Sequence, residues 1–74
     1  MKVKDLIALL SQMPANVDVV VKGYEGGADD VVNVKLVRIN KDVNSEWYYG
    51  RHEIDKEGDS QSVFIEREER KPDD

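Results

Sequence analysis

The apolar residues of this chain change period at Pro14, and that change calls for one helix followed by strands. Val3, Leu6, Ile7, Leu10 and Met13 recur every three or four positions, with Leu9 widening the stripe, so residues 3–13 read as an amphipathic helix facing a core. Asp5 suits the positive end of the helix dipole, Lys2 is a poor N-cap, and Pro14 disfavours helical geometry at Met13 and marks the exit. Beyond it Val17, Val19 and Val21 alternate with Asp18, Val20 and Lys22, the pattern of an interior strand covered partly on both faces. A second strand is expected over residues 30–40, where Val32, Val34 and Leu36 keep one phase and Val37 and Ile39 the other, reconciled by a bulge or twist near Leu36. Trp47, Tyr48 and Tyr49 give residues 46–54 high strand propensity, and Val63, Phe64 and Ile65 make a short fourth strand after a polar turn at 55–60. Short connections favour an antiparallel meander. The expected fold is therefore a two-layer α+β domain, one N-terminal helix packed on a four-stranded, mainly antiparallel sheet. Residues 1–66 form that single domain, and residues 67–74, which have no apolar anchor, form a disordered charged tail.

With 74 residues, 39% apolar and no cysteine, the chain stands near the lower limit for one hydrophobic core, and disulfides or thiolate-bound metals cannot supplement it. Either that core suffices or a partner completes it, and a homodimer is the simplest form of help. A net charge of -5 argues against nucleic-acid binding, which needs clustered Lys and Arg to release counterions from phosphates. It suits a basic protein partner instead. The N-terminus lacks the pattern of a secretory signal and no apolar run reaches the length of a membrane span, so a cytoplasmic protein that does not meet the membrane is expected.

Residues 23–30 are the best candidate for a site, because Tyr24, Glu25, Gly26, Gly27, Asp29 and Asp30 put glycines, a ring and carboxylates into one loop. Glycines supplying positive backbone angles in a hairpin explain much of this composition. A metal site at Glu25, Asp29 and Asp30 lacks the spacing of a calcium loop, and a phosphate cradle at Gly26 and Gly27 would meet repulsion from three carboxylates. A loop tip presented to another protein remains, with a small-ligand or metal-ion module as the alternative. Trp47, Tyr48, Tyr49, Arg51 and His52 form a second cluster, in which strand alternation would put Trp47, Tyr49 and Arg51 on one face. Such a face is either core or an interface rich in anchor residues. His52, the only histidine, neighbours Glu53, but adjacent strand residues point apart, and no serine sits in a nucleophile motif. A non-catalytic protein that uses no cofactor is expected.

The opening Val3-Lys4-Asp5-Leu6-Ile7-Ala8-Leu9-Leu10, Pro14, and the string Gly23-Tyr24-Glu25-Gly26-Gly27 followed by Asp29-Asp30-Val31 resemble a set of short, uncharacterised bacterial and phage-associated proteins. The resemblance covers about the first half of the chain, and the glycine string is its most specific part. It implies a cytoplasmic bacterial or phage setting and transfers no catalytic residue. Lys2 departs from the Ser or Thr expected before such a helix.

Overall fold

The computed structural model describes residues 1–72, in the order α1 (Val3–Leu10), β1 (Val20–Lys22), a 3-10 turn (Tyr24–Gly26), β2 (Ala28–Asn40), β3 (Glu53–Ile54) and β4 (Ser60–Arg67). One N-terminal helix and a four-stranded, mainly antiparallel sheet make this an α+β protein. β2 is antiparallel to both β1 and β3 and is also bonded to β4. The residues cluster into two units, the first holding residues 1–32 and the segment from Arg67 onward, the second holding Asn33–Glu66. The start of the expected tail has a place in the first unit, since Arg67 ends β4 and the Glu68 N–H donates to the Asp30 carbonyl at 2.9 Å. The last two residues of that tail, 73 and 74, lie outside the described residues.

In the first unit, α1 begins without a side-chain acceptor at its cap, since a lysine has none to give. The Lys2 N–H donates to Asp5 Oδ2 at 2.9 Å, and the Asp5 N–H returns a bond to the Lys2 carbonyl at 3.0 Å. Asp5 thus serves both the cap and the dipole, and Asp5→Ala should cost about 0.5–1 kcal/mol of stability, read as a lower midpoint in a urea titration. The helix ends three residues before Met13. There the Ser11 hydroxyl donates to the Ala8 carbonyl at 2.7 Å, and the Gln12 and Met13 amides bond only three residues back. Side-chain competition for carbonyls and tightening into 3-10 geometry let the chain leave the helix ahead of Pro14.

The apolar stripe of α1 is not the core face the sequence suggests. Ile7 is 62% exposed and Met13 58%, and no residue of the helix is buried. β1, expected as an interior strand, has only three residues and stands at one end of the strand order, with Val19 and Val20 exposed. A three-residue strand on the beginning of β2 presents too little apolar surface to cover a helix.

β2 runs unbroken for 13 residues, and apart from its last residue, Asn40, its covered positions, Asp29, Val31, Val37 and Ile39, share one phase. The second phase, Val32, Val34 and Leu36, is exposed, so burial needs no change of face at Leu36. The second unit is organised around Ile39, which is 7% exposed and is the buried hydrophobic residue among those described. Gly58 lies against the Ile39 backbone so closely that an added Cβ would stand 2.6 Å from its carbonyl carbon. Polar bonds hold this approach: Arg38 Nε donates to the Gly58 carbonyl at 2.6 Å, and the Asp55 and Gly58 amides donate to the Arg38 and Asp55 carbonyls. Asp55 also accepts from Asn40 Nδ2 at 3.1 Å and from the Glu57 N–H at 2.9 Å, which fixes the turn in register with β2. On β4, Phe64 takes the more covered side and Lys35 Nζ stands 5.9 Å from its ring centroid. The same ammonium is 2.9 Å from Glu66 Oε2, a Coulombic contact outside hydrogen-bond geometry.

Candidate functional site

Residues 23–27 close the β1–β2 hairpin, with the Gly23 N–H donating to the Gly27 carbonyl and the Gly27 N–H to the Tyr24 carbonyl, both at 2.9 Å. The glycines serve different ends. Gly26 takes φ 81, the left-handed angle expected of a turn glycine, whereas Gly23 is extended at φ -108. Gly23 is required for space: a Cβ there would stand 2.5 Å from Asp29 Oδ2. Glu25, not a glycine, takes the other positive angle, φ 50, a conformation disfavoured by the Cβ and sustained here by the closed turn.

The space at Gly23 seats the Asp29 carboxylate, whose Oδ2 accepts from Arg67 Nη1 at 2.8 Å. Both side chains are largely covered, 16% exposed for Asp29 and 26% for Arg67. The guanidinium carbon stands 4.7 Å from the centroid of the Tyr24 ring, a cation–π contact that holds its plane. Tyr24 first, then Asp29, stabilise the charged guanidinium and raise its pKa above the ordinary arginine value, against a smaller opposing effect of desolvation. Tyr24 and Asp29 come from the candidate loop, but Arg67 comes from the segment the sequence assigns to a tail.

A cleft of about 300 Å³ opens beside this triad. The hairpin contributes Tyr24, Gly27, Ala28 and Asp29, and the C-terminal segment contributes Arg67, Arg70, Lys71 and Pro72. Glu25 and Asp30 do not line it. Among the described residues no three His, Cys, Asp or Glu side chains gather as metal ligands, so Glu25, Asp29 and Asp30 do not converge.

The aromatic cluster is not a strand. Residues 45–52 are turns and irregular backbone, and β3 is reduced to Glu53–Ile54. Asn44 closes this loop, its N–H donating to the Arg51 carbonyl at 3.1 Å and its Nδ2 to the Gly50 carbonyl at 2.8 Å. The Tyr49 N–H turns back to the Glu46 carbonyl, and the Asp42 N–H donates to His52 Nδ1 at 3.1 Å. Local polar bonds have thus taken the backbone groups that a ladder would need. The face expected to unite Trp47, Tyr49 and Arg51 is not formed by strand alternation. Trp47 is 92% exposed and meets Tyr48 edge-to-face at 5.6 Å, Tyr49 is exposed, and Arg51 reaches Asp42 at 3.8 Å. His52 Nδ1 is an acceptor for backbone, a structural duty distinct from acid–base work with Glu53.

No helix among the described residues is long and apolar enough to cross a membrane. No protein-family model matches the chain, and no curated protein or solved structure is significantly similar to it.

Proposed function

We propose that this chain is a non-catalytic protein-interaction module that works as a homodimer, two copies covering the apolar stripe of α1, with the Trp47–Tyr48 pair displayed to a basic protein partner. The exposure of that stripe carries the reading: Val3, Ile7 and Leu10 share one side of a helix that has no buried residue. Each unit has about 40 residues or fewer and the chain has no cysteine, and at that size association is the usual substitute for a larger core. A second copy is the occupant that a two-fold axis supplies without any further surface, because a stripe on one helix is matched by itself. Covering three such side chains on each copy gains roughly 1–2 kcal/mol apiece, a total that exceeds only the lower estimates of the association cost, so weak self-association, with a Kd of roughly 10–100 μM, is expected. A bacterial or phage accessory protein acting in the cytoplasm fits this behaviour, on the likeness of the Gly23–Gly27 string and the acidic charge.

Salt separates the two kinds of partner. Copies that each carry -5 repel, and screening over about 10 Å at 0.1 M salt relieves the repulsion. Sedimentation equilibrium should therefore show self-association tightening as salt rises, whereas binding to a basic protein should weaken. Ile7→Glu should leave a monomer. A wild-type chain that stays monomeric at hundreds of micromolar, or a dimer indifferent to Ile7→Glu, would remove the helix from this role.

A further inference from the structure

We infer that the cleft beside Tyr24 and Arg67 is a binding site for a small oxyanion, a phosphate or carboxylate, carried on a flat apolar body. This inference stands apart from dimerisation and uses none of the α1 stripe. Its first ground is charge. Among the described residues that line the cleft, cationic side chains outnumber carboxylates, Arg67, Arg70 and Lys71 against Asp29, with Glu69 close enough to act on Arg67 through its charge. Of the three loop carboxylates only Asp29 lines the cleft, Glu25 and Asp30 lying outside it, so the repulsion of an anion is reduced.

The second ground is preorganisation. Asp29 Oδ2 engages Arg67 at Nη1, and a guanidinium has five N–H donors in a planar fork, more than that one contact uses. Asp29 occupies the pocket left by the missing Gly23 side chain, and Tyr24 packs on the guanidinium face. Arg67 is thereby fixed from a neighbouring carboxylate and from one face, and the ordering entropy of a long side chain is already lost before a ligand arrives. Asp29 is a positioning residue here, and Arg67 is the group that meets the anion.

The third ground is shape. About 300 Å³ is the small end of ligand pockets and suits one ring with an acidic group. The Tyr24 ring, 77% exposed, and Pro72 give that ring a flat apolar surface, with the Gly27 and Ala28 backbone between them. Arg70 and Lys71 already have interactions of their own, so the incoming anion competes for them and millimolar affinity is expected of the bare ion.

The test is an amide-resolved NMR titration of the full chain with inorganic phosphate in one arm and benzoate in the other, each against sodium chloride of equal ionic strength. Saturable shifts at Gly27, Ala28 and the Arg67 side-chain N–H, absent with chloride, are the expected result. If both probes saturate, the site reads the oxyanion generally; saturation by one alone assigns the site to that class. The Arg70→Gln, Lys71→Gln double variant, which leaves the Tyr24–Arg67–Asp29 triad in place, should weaken binding at least tenfold with the remaining amide spectrum unchanged. Gly23→Ala, which drives Asp29 from its seat, should weaken it as well and move the Arg67 N–H signal in the free protein. Linear shifts spread over the surface with both probes, or saturation with unchanged affinity in the double variant, would overturn the assignment.

Discussion

Gly58→Ala should destabilise the second unit by about 1–3 kcal/mol or more, the range for forcing an extra methyl into a packed site. The added Cβ would meet the carbonyl carbon and oxygen of Ile39 at 2.6 Å and its nitrogen at 2.7 Å. These are backbone atoms of a strand paired to β3 through Ile39 and Asn40, so they cannot rotate away as a side-chain tip would. The turn must move instead, and it carries the acceptor for Arg38 Nε and the partner of the Asp55 carbonyl. One substitution therefore opens a steric contact, a charge-assisted hydrogen bond and the cover of Ile39 together. For a domain of this size each kcal/mol lowers the melting midpoint by roughly 4–8 °C, so thermal unfolding followed by circular dichroism resolves the effect. Gly50→Ala is the control, since the nearest atom to its Cβ is 3.9 Å away, and a change within about 0.5 kcal/mol is expected there. Equal midpoints for the two variants would mean that Gly58 does not approach β2 in solution.

The parts of the fold that a periodic pattern can encode were legible in the residues. α1, β1, β2 and β4 follow from the spacing of Val, Leu, Ile and Phe, though β3 keeps only Glu53–Ile54 of the strand expected from its aromatic residues, and Gly26 takes the positive angle that a turn glycine is expected to supply. Periodicity says which side of an element is apolar, however, and not what lies on it; hence Ile7 and Met13 read as core and are exposed. Strand propensity at Trp47–Tyr49 is a preference of side chains for a pleated surface, and it lost to the backbone bonds organised by Asn44. The candidate site was half legible. Tyr24 and Asp29 stand out in their loop, but Arg67 joins them across 38 positions of sequence through a single ion pair, and a contact of that kind leaves no period to read. Nor does composition reveal that Gly23 is needed for the carboxylate of Asp29, because in a run of glycines each one looks like a turn residue.

Ile39→Ala should cost about 2–4 kcal/mol at every protein concentration, and that constancy is what makes it useful. Ile39 is 7% exposed within its own chain, and losing three carbon atoms there removes burial and leaves a cavity. Ile7 has the same side chain at 62% exposure, so by the area it buries within the chain Ile7→Ala should cost well under 1 kcal/mol. If two copies cover the α1 stripe, that small figure holds only for dilute monomer. Near and above the dissociation constant, folding is linked to association and the stability of the wild type rises with concentration. The penalty of Ile7→Ala then grows toward that of Ile39→Ala, because each pair loses the side chain twice. Urea midpoints measured from about 1 μM to several hundred μM would trace the two variants on separate courses, one parallel to the wild type and one diverging from it. Parallel lines for both would assign the exposed stripe no partner among copies of this chain and would pass the task of covering it to a different protein.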